Sequence, residues 1–138
     1  MDMLPPDLIS AEYFYRYTLY LLSGLFLLFS FAVIYVRITP YDELTLIREG
    51  HTAAALSLGG AMVGFALTLA SSAIYHSSLV GFWGWAVAAM MVQLIGYLAM
   101  SRIIPNLKDH LEANNSAVGG LMGAVALSIG ILNAACLS

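Results

Sequence analysis

The stretch GHTAAALSLGGAMVGFALTLASSAIYHSSLVGFWGWAVAAMMVQLIGYLAMS, Gly50 to Ser101, runs for 52 residues without one Asp, Glu, Lys or Arg. About 20 residues of helix cross a hydrocarbon core of about 30 Å, so this stretch is too long for one span and fits two joined by a tight turn. His76-Ser77-Ser78 is the expected turn. Outward from it, 20 uncharged residues separate Arg16 from Arg37, and a last uncharged run extends from Ala113 to Ser138. The spacing predicts membrane-crossing helices over 17–36, 52–75, 81–104 and 115–136. The chain therefore reads as an all-α membrane protein with an outer-facing N-terminal segment, 1–16, and a four-helix transmembrane domain, 17–138.

Composition agrees. Of 138 residues, 61% are hydrophobic and 9% charged, against about 45–50% and about 25% in soluble domains. Five Lys plus Arg and a net charge of −3 leave no footprint for nucleic acid. Cys136 is the lone cysteine, so neither an internal disulfide nor a cysteine-based zinc site is expected. His51, His76 and His110 lack ligand-like spacing, and neither metal nor cofactor is expected. Asp2, Asp7 and Glu12, with no base before Arg16, are the opposite of a signal-peptide start, so the N-terminus is expected to remain.

Two halves echo each other. Arg37-Ile38-Thr39-Pro40 recurs as Arg102-Ile103-Ile104-Pro105, and His51-Thr52-Ala53-Ala54 aligns with Asn115-Ser116-Ala117-Val118. The expected architecture is two tandem two-helix repeats, about 17–75 and 81–138, related by an axis along the membrane normal. The prolines end their helices by removing a donor. Arg37 and Arg102 then sit in the last turns, placed to complement the helix dipole or reach lipid phosphates. Thr52 and Ser116 stand where helix caps belong. Two helix N-termini at equivalent positions are also a place for an anion, although plain capping accounts for them.

Helices one and three are bulky, whereas helices two and four are rich in small residues. Gly60 and Gly64 form one GxxxG pair and Gly119 and Gly123 another, with Gly59 beside the first. Such residues let helix backbones approach closely in lipid, so the second and fourth helices are expected at the centre and the first and third toward lipid. Arg37, Arg48, Arg102 and Lys108 in the two charged loops outnumber Arg16 on the other side. Bases are retained in the cytoplasm, so loops 37–51 and 102–114 are expected there and both termini outside. Tyr13, Phe14, Tyr15, Tyr17, Tyr75, Phe82, Trp83 and Trp85 are expected to form an outer aromatic belt.

No charged residue falls inside an expected span, which argues against a pump. Gln93 is the strongest mid-membrane polar group, expected to make an interhelical hydrogen bond or, otherwise, to line a path. Asn133 lies near the outer end of helix four. Ser57, Thr68, Ser71, Ser72 and Ser128 are expected to bond back to their own helices. The charges of Tyr41-Asp42-Glu43 and Arg48-Glu49 read as ordinary loop solvation. His76 stands near the outer turn, where it is placed to titrate close to neutral pH. Cys136 is placed for an intermolecular disulfide in an oxidising compartment. No GxSxG, HExxH or phosphate-binding glycine loop occurs, and no enzymatic activity is expected.

Thr39-Pro40-Tyr41-Asp42-Glu43, Thr52-Ala53-Ala54, Val92-Gln93-Leu94, Asn115-Ser116-Ala117 and Asn133-Ala134-Ala135-Cys136, in this order and spacing, resemble the YjfL family of small bacterial inner-membrane proteins, domain-of-unknown-function family three-fifty. The resemblance covers residues 15–138. It implies four transmembrane helices in two repeats in the bacterial inner membrane, and places Gln93, Asn115 and Asn133 in family motifs. The chain departs from the pattern at His51, where the resemblance implies Asn, and at Thr68, where members can carry Pro. The expected function is that of a non-enzymatic multi-pass membrane protein in contact with lipids, working as a homo-oligomer or with other membrane or membrane-associated proteins. The alternative is a passive oligomeric conduit for ions or small solutes.

Overall fold

The computed structural model describes residues 8–138, and the described residues contain helices and no strand. Residues 1–7 of the N-terminal segment, with Asp2 and Asp7, lie outside them. A π-helical turn, Leu8–Tyr13, runs straight into α1 (Phe14–Ile38), followed by α2 (Glu43–Arg48), α3 (Thr52–Tyr75), α4 (Leu79–Ile103), α5 (Leu107–Glu112) and α6 (Ser116–Cys136). The four long helices are long and apolar enough to cross a membrane. Even the shortest, α6 with 21 residues, reaches about 31 Å at 1.5 Å per residue. The first span begins earlier than its charges suggest, because Arg16 lies within the helix: its guanidinium donates to the Ser77 carbonyl (3.1 Å) and sits over the Tyr20 ring.

Loops 37–51 and 102–114 each contain a short helix that the charge map does not anticipate. Both short helices end in the same way. The amides of Gly50 and His51 bond back to the carbonyls of Ile47 and Leu46, and those of Asn114 and Asn115 to Leu111 and His110. This is the Schellman closure, and it needs a left-handed residue, supplied by Gly50 in one loop and Asn114 in the other. The short helices begin 64 residues apart, at Glu43 and Leu107, and so do the long helices that follow them, at Thr52 and Ser116.

The most extensive contact joins α3 to α6, which run parallel: Thr52 meets Ser116 at one end and Ser71 meets Ala134 at the other. Their backbones touch. A Cβ on Gly60 would overlap the backbone of Gly123, one on Gly119 that of Ala53, and one on Gly130 that of Gly64. Gly60, Gly64, Gly119 and Gly123 thus do the packing expected of them, joined by Gly130. Gly59 does not, because a Cβ there meets nothing within 4 Å; it lies one position round α3 from that face.

α3 is the central helix, its buried face running from Ala53 to Ser72. α6 shares that contact but turns its far side outward through Leu121, Ala124, Ser128 and Leu132. α1 shows Leu22, Phe26 and Phe29 to the outside and buries Leu27, Phe31 and Tyr35. Phe82 departs from the expected aromatic belt: it is fully buried and meets Tyr20 edge-on, while Trp83 is half-buried and donates to Ser23. Hydroxyls also travel further than expected. Ser128 bonds within its own helix, but Ser71 donates to Ala134, Ser57 meets Tyr35, Ser72 reaches Phe82, and Thr68 serves both Gly64 and Gly130.

The α3–α6 contact predicts a contrast. Gly60→Leu should destabilise the fold by about 1–3 kcal/mol through overpacking, whereas Gly59→Ala should stay within about 0.5 kcal/mol of the parent, as read by equilibrium unfolding in lipid bicelles.

Candidate functional site

At the end of the bundle that carries α2 and α5, the chain turns inward. Thr39 ends α1, its hydroxyl donating to the Val36 carbonyl (2.9 Å). Asp42 then opens α2, where its carboxylate accepts from the Thr45 amide (3.2 Å) and hydroxyl (2.7 Å). Those two bonds hold the exposed Asp42 carboxyl below its ordinary range. The next residue behaves in the opposite way. Glu43 is the first residue of α2, is 0% exposed, and neither of its carboxylate oxygens has a hydrogen-bond partner. Burial pushes its carboxyl from 4.5 up to about 8, opposed by the neighbouring Tyr41 hydroxyl. The solvated-loop reading of Glu43 is therefore corrected, because the α2 cap turns Asp42 to solvent and Glu43 under the helices.

Three tyrosines surround this carboxyl. Tyr41 is buried and its phenol is raised by burial, then by Tyr35 and Glu43. Tyr35 from α1 and Tyr97 from α4 meet edge-on with ring centroids 5.0 Å apart. The Tyr35 hydroxyl shares a hydrogen bond with Ser57 of α3 (3.1 Å), whereas the hydroxyls of Tyr41 and Tyr97 have no partner. Deeper along α4 lies Gln93, 3% exposed; its Nε2 donates to the Ala126 carbonyl of α6 (2.9 Å) and its Oε1 is unpartnered. Tyr35, Gln93 and Tyr97 share a void of about 10 Å³. That is space for about one water molecule. Gln93 thus makes the interhelical bond expected of it, and its side chain is turned into the protomer.

The entrances of α3 and α6 form a second polar group at the same end. Thr52 and Ser116 are not caps: they are the first helical residues, and their hydroxyls bond each other (2.8 Å). The cap positions belong to His51 and Asn115, one residue earlier. Asn115 accepts from the Val118 amide (3.4 Å) and its Nδ2 meets His110 Nδ1 (3.1 Å). His51 supplies no cap bond; its Nε2 lies 3.9 Å from Glu49 and its Nδ1 is buried without a partner. The missing cap comes from the other half of the chain, where Asn114 Oδ1 accepts from the Ala53 amide (3.0 Å). Side chains thus take amides at both entrances.

The remaining candidates are scattered. Asn133 donates to the Ala89 carbonyl (3.4 Å), tying α6 to α4. Arg37 and Arg102 are exposed at the ends of α1 and α4. Cys136 is exposed. His76 is held at the opposite end, its Nδ1 near the Ser72 carbonyl (3.0 Å) and its ring stacked on Trp85. Sequence reasoning missed Asn114, Glu43 and the tyrosines around it. The available signals were Asn114 standing 64 positions after Gly50, and Tyr35, Tyr41 and Tyr97 collecting at one end of their spans.

A multi-helix membrane protein with a polar pocket at one end is the class these features define. A family model described as Domain of Unknown Function (DUF350) matches residues 7–137, and the chain belongs to this family. The UPF0719 inner membrane protein YjfL of Escherichia coli K12 is 34% identical over 122 residues, covering 88% of this chain and 92% of that protein. The UPF0719 transmembrane protein YshE of Bacillus subtilis is 28% identical over 107 residues, 76% and 80% of the respective chains. No solved structure matches significantly. The chain is thus a multi-pass membrane protein whose relatives are named as inner membrane and transmembrane proteins.

Two outcomes are expected. Asn114→Ala should cost about 1 kcal/mol by uncapping α3, read by unfolding in bicelles, with Asn114→Asp retaining most of it. The second concerns pH. Glu43 in the folded chain holds a proton that the unfolded chain releases, so its contribution is free of penalty below about 4.5 and falls as pH rises to about 8. Thermal stability of the parent should decline over that window relative to Glu43→Gln, and the two curves should run parallel above it.

Proposed function

We propose that the protein is a non-catalytic inner-membrane protein that works as an oligomer or as a subunit of a larger membrane assembly. The observation that carries this reading is the uncovered outer face of α6. Its inner face packs on α3, and its outer face presents Ala117, Ala124, Ser128 and Ala135 uncovered, with Leu121 and Leu132 standing between them. Where helices associate without a hydrophobic driving force, small residues set how closely a neighbour can approach. A further helix, from a second copy or from another membrane protein, would pack against the small residues between those leucines. In this reading loops 37–51 and 102–114 lie in the cytoplasm, where Arg48 and Lys108 meet soluble partners and Arg37 and Arg102 meet lipid headgroups. The two halves act as tandem repeats, an arrangement supported by the 64-residue offset of the short and long helices.

Native mass measured after release from the protein's own membranes directly into lipid nanodiscs should give several copies or a defined companion. Ala124→Leu, on the outer face of α6, should reduce that mass while preserving the fold. A single unaccompanied protomer overturns the proposal, and a closed ring of identical subunits would bring flux measurements to the fore.

A further inference from the structure

Glu43 is a fully buried carboxyl with no cation paired to it among the described residues. The titratable groups facing it are phenols: Tyr41 from the turn before α2, Tyr35 from α1 and Tyr97 from α4. α3 offers Ser57, whose hydroxyl is occupied by Tyr35. The buried residues of α5 are Leu107 and Leu111. Arg48 on its own helix and Lys108 on α5 are exposed, and among the described residues no base forms an ion pair with it. A bare carboxylate in such surroundings is costly, while the neutral acid gains a donor that phenol and amide oxygens accept. Both its oxygens, the hydroxyls of Tyr41 and Tyr97, and Gln93 Oε1 are buried and unpartnered in one region. The water-sized void among Tyr35, Gln93 and Tyr97 borders the Gln93 and Tyr97 members of this set.

The region is closed toward the other side of the membrane. Phe31 and Phe65, both fully buried, pack with ring centroids 4.8 Å apart, and Phe82 and Leu69 continue the apolar core beyond. Toward the loops, the neighbours of Glu43 in the chain, Asp42, Leu44 and Thr45, are exposed. We propose that Glu43 is a reversible proton-binding site, reached from the α2 end alone, with the hydroxyls of Tyr41 and Tyr97 serving the neutral acid as hydrogen-bond partners. Binding transfers one proton from solvent to the carboxylate and leaves the pocket uncharged; release returns that proton to the same side and leaves a buried negative charge, which loosens α2. The ligand is the proton itself, and the dead end at Phe31 and Phe65 makes the site a sensor of pH on one side of the membrane, not a route across it.

Infrared difference spectroscopy on the full chain in nanodiscs tests this directly. Glu12, Asp42, Glu49, Asp109 and Glu112 are exposed, whereas Glu43 is buried, and the difference between the parent and Glu43→Gln assigns a carboxylic-acid carbonyl stretch to it. The expected result is such a band at pH 6, its loss by pH 9, and its absence from Glu43→Gln at every pH. Tyr97→Phe, which keeps the ring packing, should retain the band and shift its frequency. A spectrum with no acid band at pH 6, a band that survives in Glu43→Gln, or one unmoved in both position and midpoint by Tyr97→Phe would overturn the site as drawn. Should Glu43→Gln not fold, the parent titration and Tyr97→Phe decide alone.

Discussion

The contact on which the structure depends is backbone against backbone, where α3 and α6 meet through Gly60, Gly64, Gly119, Gly123 and Gly130. In lipid, apolar side chains gain nothing by leaving solvent for one another, so association rests on dispersion and polar contacts at short range. Removing Cβ atoms brings the two helices close enough for Thr68 and Ser71 of α3 to donate to carbonyls of α6. α1 and α4 then need only cover the remaining sides of α3. Phe31 of α1 packs on Phe65 of α3, and Phe82 of α4 closes on Tyr20 of α1.

Committing α3 to α6 leaves the end of the bundle between α1 and α4 to be filled by something other than a helix pair. The chain fills it with Tyr35, Tyr41 and Tyr97, whose rings supply apolar bulk while their hydroxyls require partners. Glu43 enters this space because Asp42, next to it, takes the cap of α2 and stays in solvent. Adjacent carboxylates are thereby driven in opposite directions, one lowered by bonds from Thr45 and the other raised by burial. The pattern is the one by which environment gives two acids two roles.

The helices were legible because absence of charge over a membrane's thickness is a strong constraint, and the turn at His76 to Ser78 was fixed by what remained. The glycine pairs were legible too, since spacing by four places them on one helix face. Gly59 shows the limit of that reading, one position off the face and open to its surroundings. Caps were legible only in part. Hydroxyl residues at helix starts suggested Thr52 and Ser116, but the asparagine and histidine before them hold the cap positions, and a partner 61 residues away serves α3. Glu43 was hidden for a different reason. Loop carboxylates are usually solvated, and only the fold shows that a six-residue helix turns this one inward.

Asn114 carries a consequence for the order of events in synthesis. Its carboxamide completes the start of α3, yet it leaves the ribosome 61 residues after Ala53. Until then the first half of the chain holds a helix with an open amide at its entrance and a glycine-lined face with nothing against it. Both wants are met by the same late segment, Asn114 and the helix that follows it. The nascent chain therefore stays incomplete in two places at once, and the arrival of one segment closes both.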